Sequence, residues 1–354
     1  MTETADNSRA AKQPVLLTNV LGQGADGSAV SLRPGYAYLL RSRLTVPELY
    51  FWLGELLFCS QVGGAEEGDK QGAERWPNLV GLFIDDTKEN LFTTLFGVEK
   101  FAKDKDPTET FVNLLQGVQG AHDGQFAAWL DTQGQFGSEA GSQKGYREAR
   151  NGRRSRSLAG SGNPMSVFRF YREVSELEAT SELNLYLLNS LSNMHRSLGL
   201  SDTSAFLKTI LASIWGGEEA ATGGETDDKK IKSKDSAFFA VLQEGVLQDE
   251  ETQYLESFFD GVIRFDPLRF GPYRVPLVRV ASLPLAARLP PPMLFWPERI
   301  FTAEDEQSLF ALPGLTELGL AGAAPSKGVF IQILPIPDDH RRDVERLVRR
   351  SRRT

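Results

Sequence analysis

Two clusters of carboxylates stand where an open sheet would present them to a ligand. Asp85-Asp86 follows the apolar run Asn78–Ile84, and Asp338-Asp339-His340 follows the apolar run Gly328–Ile336. Ligands of open sheets gather beyond strand ends. Clustered carboxylates beside an imidazole suit a hard divalent metal and phosphoryl chemistry. If the two runs were adjacent parallel strands, Asp85, Asp86, Asp338, Asp339 and His340 would converge on one metal site of a metal-dependent phosphoesterase or nuclease. The bland reading is two solvated turns, and Pro337 before Asp338 already suggests a chain leaving a sheet.

The other chemistry-bearing pattern is basic. Lys144, Arg147, Arg150, Arg153, Arg154 and Arg156 lie in one short segment with Tyr146, and Arg346, Arg349, Arg350, Arg352 and Arg353 close the chain. The guanidinium is a planar fork that matches phosphate oxygens, and flexible Arg-rich segments fold on RNA. The segment 144–156 carries a net +5 and the stretch from His340 onward another +5, while the whole chain is −8 with a pI near 5.2. Basic segments on an acidic body suit local contact with nucleic-acid phosphates, or attraction to an acidic protein surface or a second subunit. A dedicated nucleic-acid domain is usually basic throughout, and this one is not.

Several other motifs fail on their context. Gly22, Gly24 and Gly27 match a dinucleotide fingerprint, but no helix follows to hold a pyrophosphate, so a turn is expected. Gly160-Ser161-Gly162 lacks the Lys-Ser/Thr pair of a phosphate loop, and no G-x-S-x-G elbow occurs. His122 reads as a turn residue. His195 reads as a structural cation near a helix end. Cys59, the only cysteine, reads as a small buried hydrophobe in an apolar helix and leaves no intrachain disulfide. No cofactor and no catalytic residue is assigned from these patterns.

The elements that must position these groups follow from periodicity. Leu183, Leu187, Leu191, Met194 and Leu198 recur at helical spacing. Gly199 ends that stripe, and Phe206, Ile210, Leu211, Ile214 and Trp215 repeat it before Gly216-Gly217. The span 179–217 is therefore expected to be an αα-hairpin around which the rest packs. Strands are expected at 14–21, 29–32, 36–46, 78–84, 167–171, 261–265, 273–280 and 328–336, the last in a central position. Helices are expected at 47–59, 88–101, 107–115, 238–246, 249–259, 301–309 and 343–350.

Strands thus cluster at both ends with helices between. That favours an α+β fold in which a mixed sheet of N- and C-terminal strands packs on the central helical hairpin. Residues 1–13 are expected to be disordered, 14–340 to form a single α+β domain with mobile insertions at 131–164 and 218–236, and 341–354 to be a basic tail. With 41% hydrophobic residues, 22 Phe and no apolar run of transmembrane length, a soluble cytoplasmic protein is expected, without a membrane partner.

The function these features favour is a non-enzymatic assembly subunit of a larger complex or homo-oligomer, its Arg-rich loop and tail touching nucleic acid, RNA included, or acidic partners. The metal-dependent hydrolase is the first alternative. The second is a protein-interaction module docking through an exposed face of the hairpin.

Overall fold

The computed structural model describes residues 15–23, 29–63, 77–84, 86, 88–96, 126–131, 136–138, 183–214, 236–270, 273–286, 288–297, 313–320 and 325–351. In chain order the strands are β1 (Val15–Gln23), β2 (Ala29–Leu32), β3 (Ala37–Ser42), β4 (Gln61–Gly63), β5 (Asn78–Phe83), β6 (Phe126–Asp131), β7 (Phe136–Ser138), β8 (Asn184–Asn189), β9 (Ser236–Gln243), β10 (Gly261–Phe270), β11 (Tyr273–Ser282), β12 (Met293–Pro297), β13 (Ser326–Lys327) and β14 (Ile331–Pro335). The α-helices are α1 (Val46–Cys59), α2 (Lys88–Phe96), α3 (Leu191–Ile214), α4 (Asp249–Glu256), α5 (Pro313–Glu317) and α6 (Arg341–Ser351).

Eleven strands form one sheet in the order β13-β14-β12-β11-β10-β3-β9-β8-β5-β6-β7. From β10 through β6 the strands run parallel, and the pairings of β11, β12, β14, β13 and β7 are antiparallel. β2, β1 and β4 make a separate antiparallel sheet. Parallel strands covered on both faces read as near-continuous apolar runs. β8 (NLYLLN) and the first seven residues of β9 (SAFFAVL) are accordingly buried without alternation.

Helices cover both faces. On the first face Leu49, Trp52, Leu53 and Leu56 of α1 and Leu91, Phe92 and Leu95 of α2 pack with Tyr38, Leu40, Leu185, Leu187, Phe239 and Val241. On the second face Leu191, Met194, Phe206 and Leu211 of α3 and Leu255 of α4 pack with Leu39, Leu82, Leu188 and Leu242. A third core joins Leu268, Leu277, Leu294 and Leu334 to Leu315 of α5 and to Val344 and Val348 of α6. The small sheet joins the first face, where Trp52 Nε1 donates to the Val20 carbonyl at 3.2 Å.

This architecture corrects the expected fold. The chain is α/β on a large mixed sheet, and no helical hairpin organises it. Leu183–Asn189 leads into and forms a central strand, and only from Leu191 does the chain turn helical. Gly199, at φ +81°, does break the helix; the second half of the expected hairpin is helical, and the first is β as far as Asn189 and helical from Leu191. The six-residue run of β8 fits both a buried strand and a four-residue helical stripe, and its neighbours in the sheet decide. The same ambiguity misplaces 238–246, expected as a helix and found as β9.

The N- and C-terminal strands do not pair in one sheet either. β1 belongs to the small sheet, and β14, expected to be central, sits one strand from the edge of the large one. Residues 1–13 lie outside the described residues. So do the expected insertions, apart from Asp131, β7 and Ser236, which belong to strands.

Candidate functional site

The helices that follow neighbouring parallel strands diverge at two places. β3 leads to α1 and β5 to α2 on the first face, whereas β8 leads to α3 and β9 to α4 on the second. The sheet therefore splits at its carboxyl edge between β3 and β9 and again between β5 and β8. Such splits are where open α/β sheets take ligands.

At the first split the chain closes on itself. Gln243 Nε2 donates to the Leu44 carbonyl at 2.7 Å, Glu244 N–H donates to the Ser42 carbonyl at 2.8 Å, and Arg43 pairs with Glu244. Only Arg43, Leu44 and Thr45 separate β3 from α1. The helix start is also occupied by its own acid. Glu48 Oε2 accepts from Thr45 N–H and from Thr45 Oγ1, both at 2.8 Å, and lies 3.2 Å from Arg274. Pro47 removes one of the free N–H groups of the first turn. A helix N-terminus attracts anions through such N–H groups. Here a built-in carboxylate answers that field.

At the second split polar side chains gather instead. Ile84 N–H donates to the Asn189 carbonyl at 2.6 Å and fixes the end of β5 against the end of β8. Asn189 is buried, and its Nδ2 donates to Tyr50 Oη at 2.9 Å and to Asp86 Oδ2 at 3.3 Å. Asn90, in the first turn of α2, donates from Nδ2 to Asp86 Oδ1 at 2.6 Å. Asn193, at the start of α3, donates to the Ile84 carbonyl at 3.4 Å. Tyr50 is itself buried and projects from the first turns of α1. Four elements thus bring Tyr50, Asp86, Asn90 and Asn189 to one place.

The chemistry is that of recognition through hydrogen bonds. The Asp86 carboxylate accepts from the amides of Asn90 and Asn189, and an amide side chain also carries an acceptor oxygen by type. Tyr50 Oη accepts from Asn189, and a phenolic hydroxyl is by type also a donor. Among the described residues no cluster of three or more His, Cys, Asp or Glu can hold a metal.

The expected carboxylate centre does not form. Asp86 follows β5, while Asp338, Asp339 and His340 form a 3₁₀ turn after β14. The sheet order puts seven strand steps between β5 and β14, on the order of 30 Å at ~4.8 Å per step. Asp338 instead pairs with Arg341 at 2.7 Å and with Arg288. The Arg341 hydrogen bond is the main cause that holds its carboxyl below the ordinary range. His340 Nδ1 lies 3.3 Å from Asp343, and Asp339 is exposed. Asp85 lies outside the described residues. The metal-dependent hydrolase is overturned by this separation.

The basic segments fare differently. Lys144, Arg147, Arg150, Arg153, Arg154, Arg156, Arg352 and Arg353 lie outside the described residues. Arg346, Arg349 and Arg350 are exposed on α6, where Arg346 pairs with Asp343. The segment expected as a basic tail is a helix docked on the third core through Val344 and Val348. The reading as a non-enzymatic assembly subunit, touching nucleic acid or acidic partners through its Arg-rich loop and tail, is corrected to an α/β protein with a split carboxyl edge. The hairpin docking module is corrected too, since Leu183, Leu187, Leu191 and Met194 of its expected stripe are buried core.

Asp86 was legible as a strand-end acid. Asn189 escapes sequence reasoning because Leu187 and Leu191 on either side of it fit a helical stripe, although a polar residue closing the apolar run Leu185–Leu188 is a strand-end signal. Nothing local marks Tyr50 or Asn90.

No family model matches this sequence, and no curated protein does. Among solved structures, a KaiC-like protein from the hyperthermophilic archaeon Pyrococcus horikoshii OT3 aligns with a TM-score of 0.38 at 10% identity, covering 80% of this chain and 95% of that one. The flagellar accessory protein FlaH from Methanocaldococcus jannaschii aligns with a TM-score of 0.36 at 9% identity, covering 79% and 90%. No described helix is long and apolar enough to cross a membrane.

Proposed function

We propose that this chain is a ligand-binding α/β protein that takes a small polar organic molecule at the carboxyl ends of β5 and β8. The observation that supports this is the convergence of Asn189, Tyr50, Asn90 and Asp86 where the sheet splits. A carboxylate flanked by amides suits a ligand presenting hydroxyl or amino donors, as a ribose diol does. A phosphate has no comparable seat at α1, where Glu48 stands at the helix start and three residues replace a long phosphate-cradling loop.

Adenosine is the first probe, because it carries both a diol and an amino group. ATP with Mg²⁺ is the contrast. In isothermal titration and thermal-shift assays the expected result is binding of adenosine no weaker than ATP. Asp86→Asn and Asn189→Leu should each weaken it at least tenfold. Failure of both probes, or binding that both substitutions leave unchanged, overturns the assignment. ATP binding far tighter than adenosine would move the ligand to a phosphate seat and overturn the role given to Glu48.

A further inference from the structure

Three arginines stand side by side on the second face of the large sheet. Arg41 of β3 is in register with Arg264 of β10, and Arg264 is in register with Arg279 of β11. Their strand-mates of the same parity, Leu39, Val262 and Leu277, lie in the second and third cores, so all three side chains leave the same face. At ~4.8 Å per strand the row is about 10 Å long. Like charges directly opposite across strands are destabilising, so the row needs anions.

The chain supplies them incompletely. Arg41 is 2.8 Å from Glu244 and also pairs with Glu256. Arg279 pairs with Asp266, and Arg43 shares Glu244. Among the described residues the central Arg264 has only a 3.4 Å contact to Glu256, whose carboxylate already serves Arg41. Four guanidinium groups therefore meet three carboxylates among the described residues. Arg264 is also the most open of the row, its side chain 33% exposed against 16% for Arg41 and 21% for Arg279. The Nε atoms of Arg41, Arg264 and Arg279 are all buried without a hydrogen-bond partner among the described residues. A buried donor left unmade is costly, and three in one row are unusual for a purely structural ion-pair network.

We propose that this row is an anion site, centred on Arg264, for a small multivalent phosphate such as a pyrophosphate group. The Nη groups of Arg264 present a planar fork to such an oxyanion, and Arg41 and Arg279 flank it at a spacing that a two-phosphorus anion can bridge. The site lies between the core under α4 and the core under α6, away from Asp86 and Asn189, and it is independent of the ligand proposed there.

The test is a titration of the full chain with pyrophosphate and, in parallel, with citrate, at 20 mM and ~200 mM salt. Pyrophosphate is expected to bind and to weaken at the higher salt. Arg264→Gln should lower its affinity at least tenfold while leaving the ligand-free melting temperature unchanged or raised, because a like charge leaves the row. Arg264→Lys keeps the charge without the fork and should lower affinity several-fold. Arg196→Gln, exposed on α3, should change nothing. Absence of pyrophosphate binding, or binding that survives both Arg264 substitutions, overturns the site. Binding of citrate alone overturns the phosphate assignment. A ligand-free protein markedly destabilised by Arg264→Gln, with no pyrophosphate effect, shows a structural ion pair and overturns it as well.

Discussion

Glu55, on the inner face of α1, accepts the backbone N–H of Phe330 at 2.8 Å through Oε2, and the same oxygen accepts Val329 N–H at 2.9 Å. This one carboxylate ties the helix that follows the central strand β3 to the turn before β14, near the far edge of the sheet. Its side chain is buried, and Cys59, one helical turn on, lies beside it. Burial pushes the Glu55 carboxyl up, and the backbone donors of Phe330, Val329 and Ile331 pull it only partly back.

A pH dependence follows from that direction. A carboxyl whose folded value lies above its unfolded one holds its proton better in the fold. Its contribution to stability is therefore complete below the unfolded value of ~4.5 and is lost as pH rises through the raised folded value. Glu55→Gln keeps an acceptor and cannot ionise. Its urea midpoint relative to wild type should rise as the pH climbs above the unfolded value of ~4.5. A constant difference across that range would show that Glu55 does not titrate in the fold. Glu55→Ala, which strands the Phe330 and Val329 N–H donors, should cost about 2–4 kcal/mol at low pH and less as pH rises, on the same slope as Glu55→Gln.

Gly328 is the counterpart of Glu55. A Cβ built there would sit 2.5 Å from Glu55 Oε1 and 2.6 Å from its carboxyl carbon. Gly328→Ala should destabilise by about 1–3 kcal/mol, as overpacking does. Combined with Glu55→Ala, which removes the obstruction, the two losses should be less than additive in a double-mutant cycle.

The helix α6 separates packing from charge. Val344 and Val348 are buried in the third core, while Arg346, Arg349 and Arg350 are exposed. Val344→Ala or Val348→Ala should each cost about 1.5–3 kcal/mol. Neutralising the three arginines to Gln together should change the urea midpoint by little, within roughly 0.5 kcal/mol per site. A large loss from the arginine variant would show that charge and not burial docks this helix.

Tyr50→Phe probes the polar cluster without emptying space. It removes the oxygen that accepts from buried Asn189 and should cost about 0.5–1.5 kcal/mol. With adenosine as the probe it should weaken binding less than Asp86→Asn does, since Asn189 keeps its bond to Asp86.

Much of the local structure was legible before any tertiary contact was known. Pro47 near the start of a long apolar stretch marked α1, Gly199 marked a break, Arg33-Pro34-Gly35 marked a turn, and the alternation of Tyr273–Val280 marked β11. Asp86 was legible as a strand-end acid, because a polar pair closing an apolar run is visible in one dimension. Asn189 was not, because the four residues before it, Leu185–Leu188, are apolar at every position, and so short a run carries no period with which to tell a strand buried on both faces from a helix. The role of Glu55 was equally hidden, since the Phe330 N–H it accepts lies 275 residues further along the chain.

What the sequence determined by itself is therefore the set of turns, caps and apolar segments, each fixed by forces that act within a few residues. The tertiary structure alone decided which segments became central strands, that β5 and β14 stand far apart, and that Arg41, Arg264 and Arg279 line up. Register and strand order are set by burial shared among segments distant in the chain, and no local spacing encodes which partner a buried strand will find.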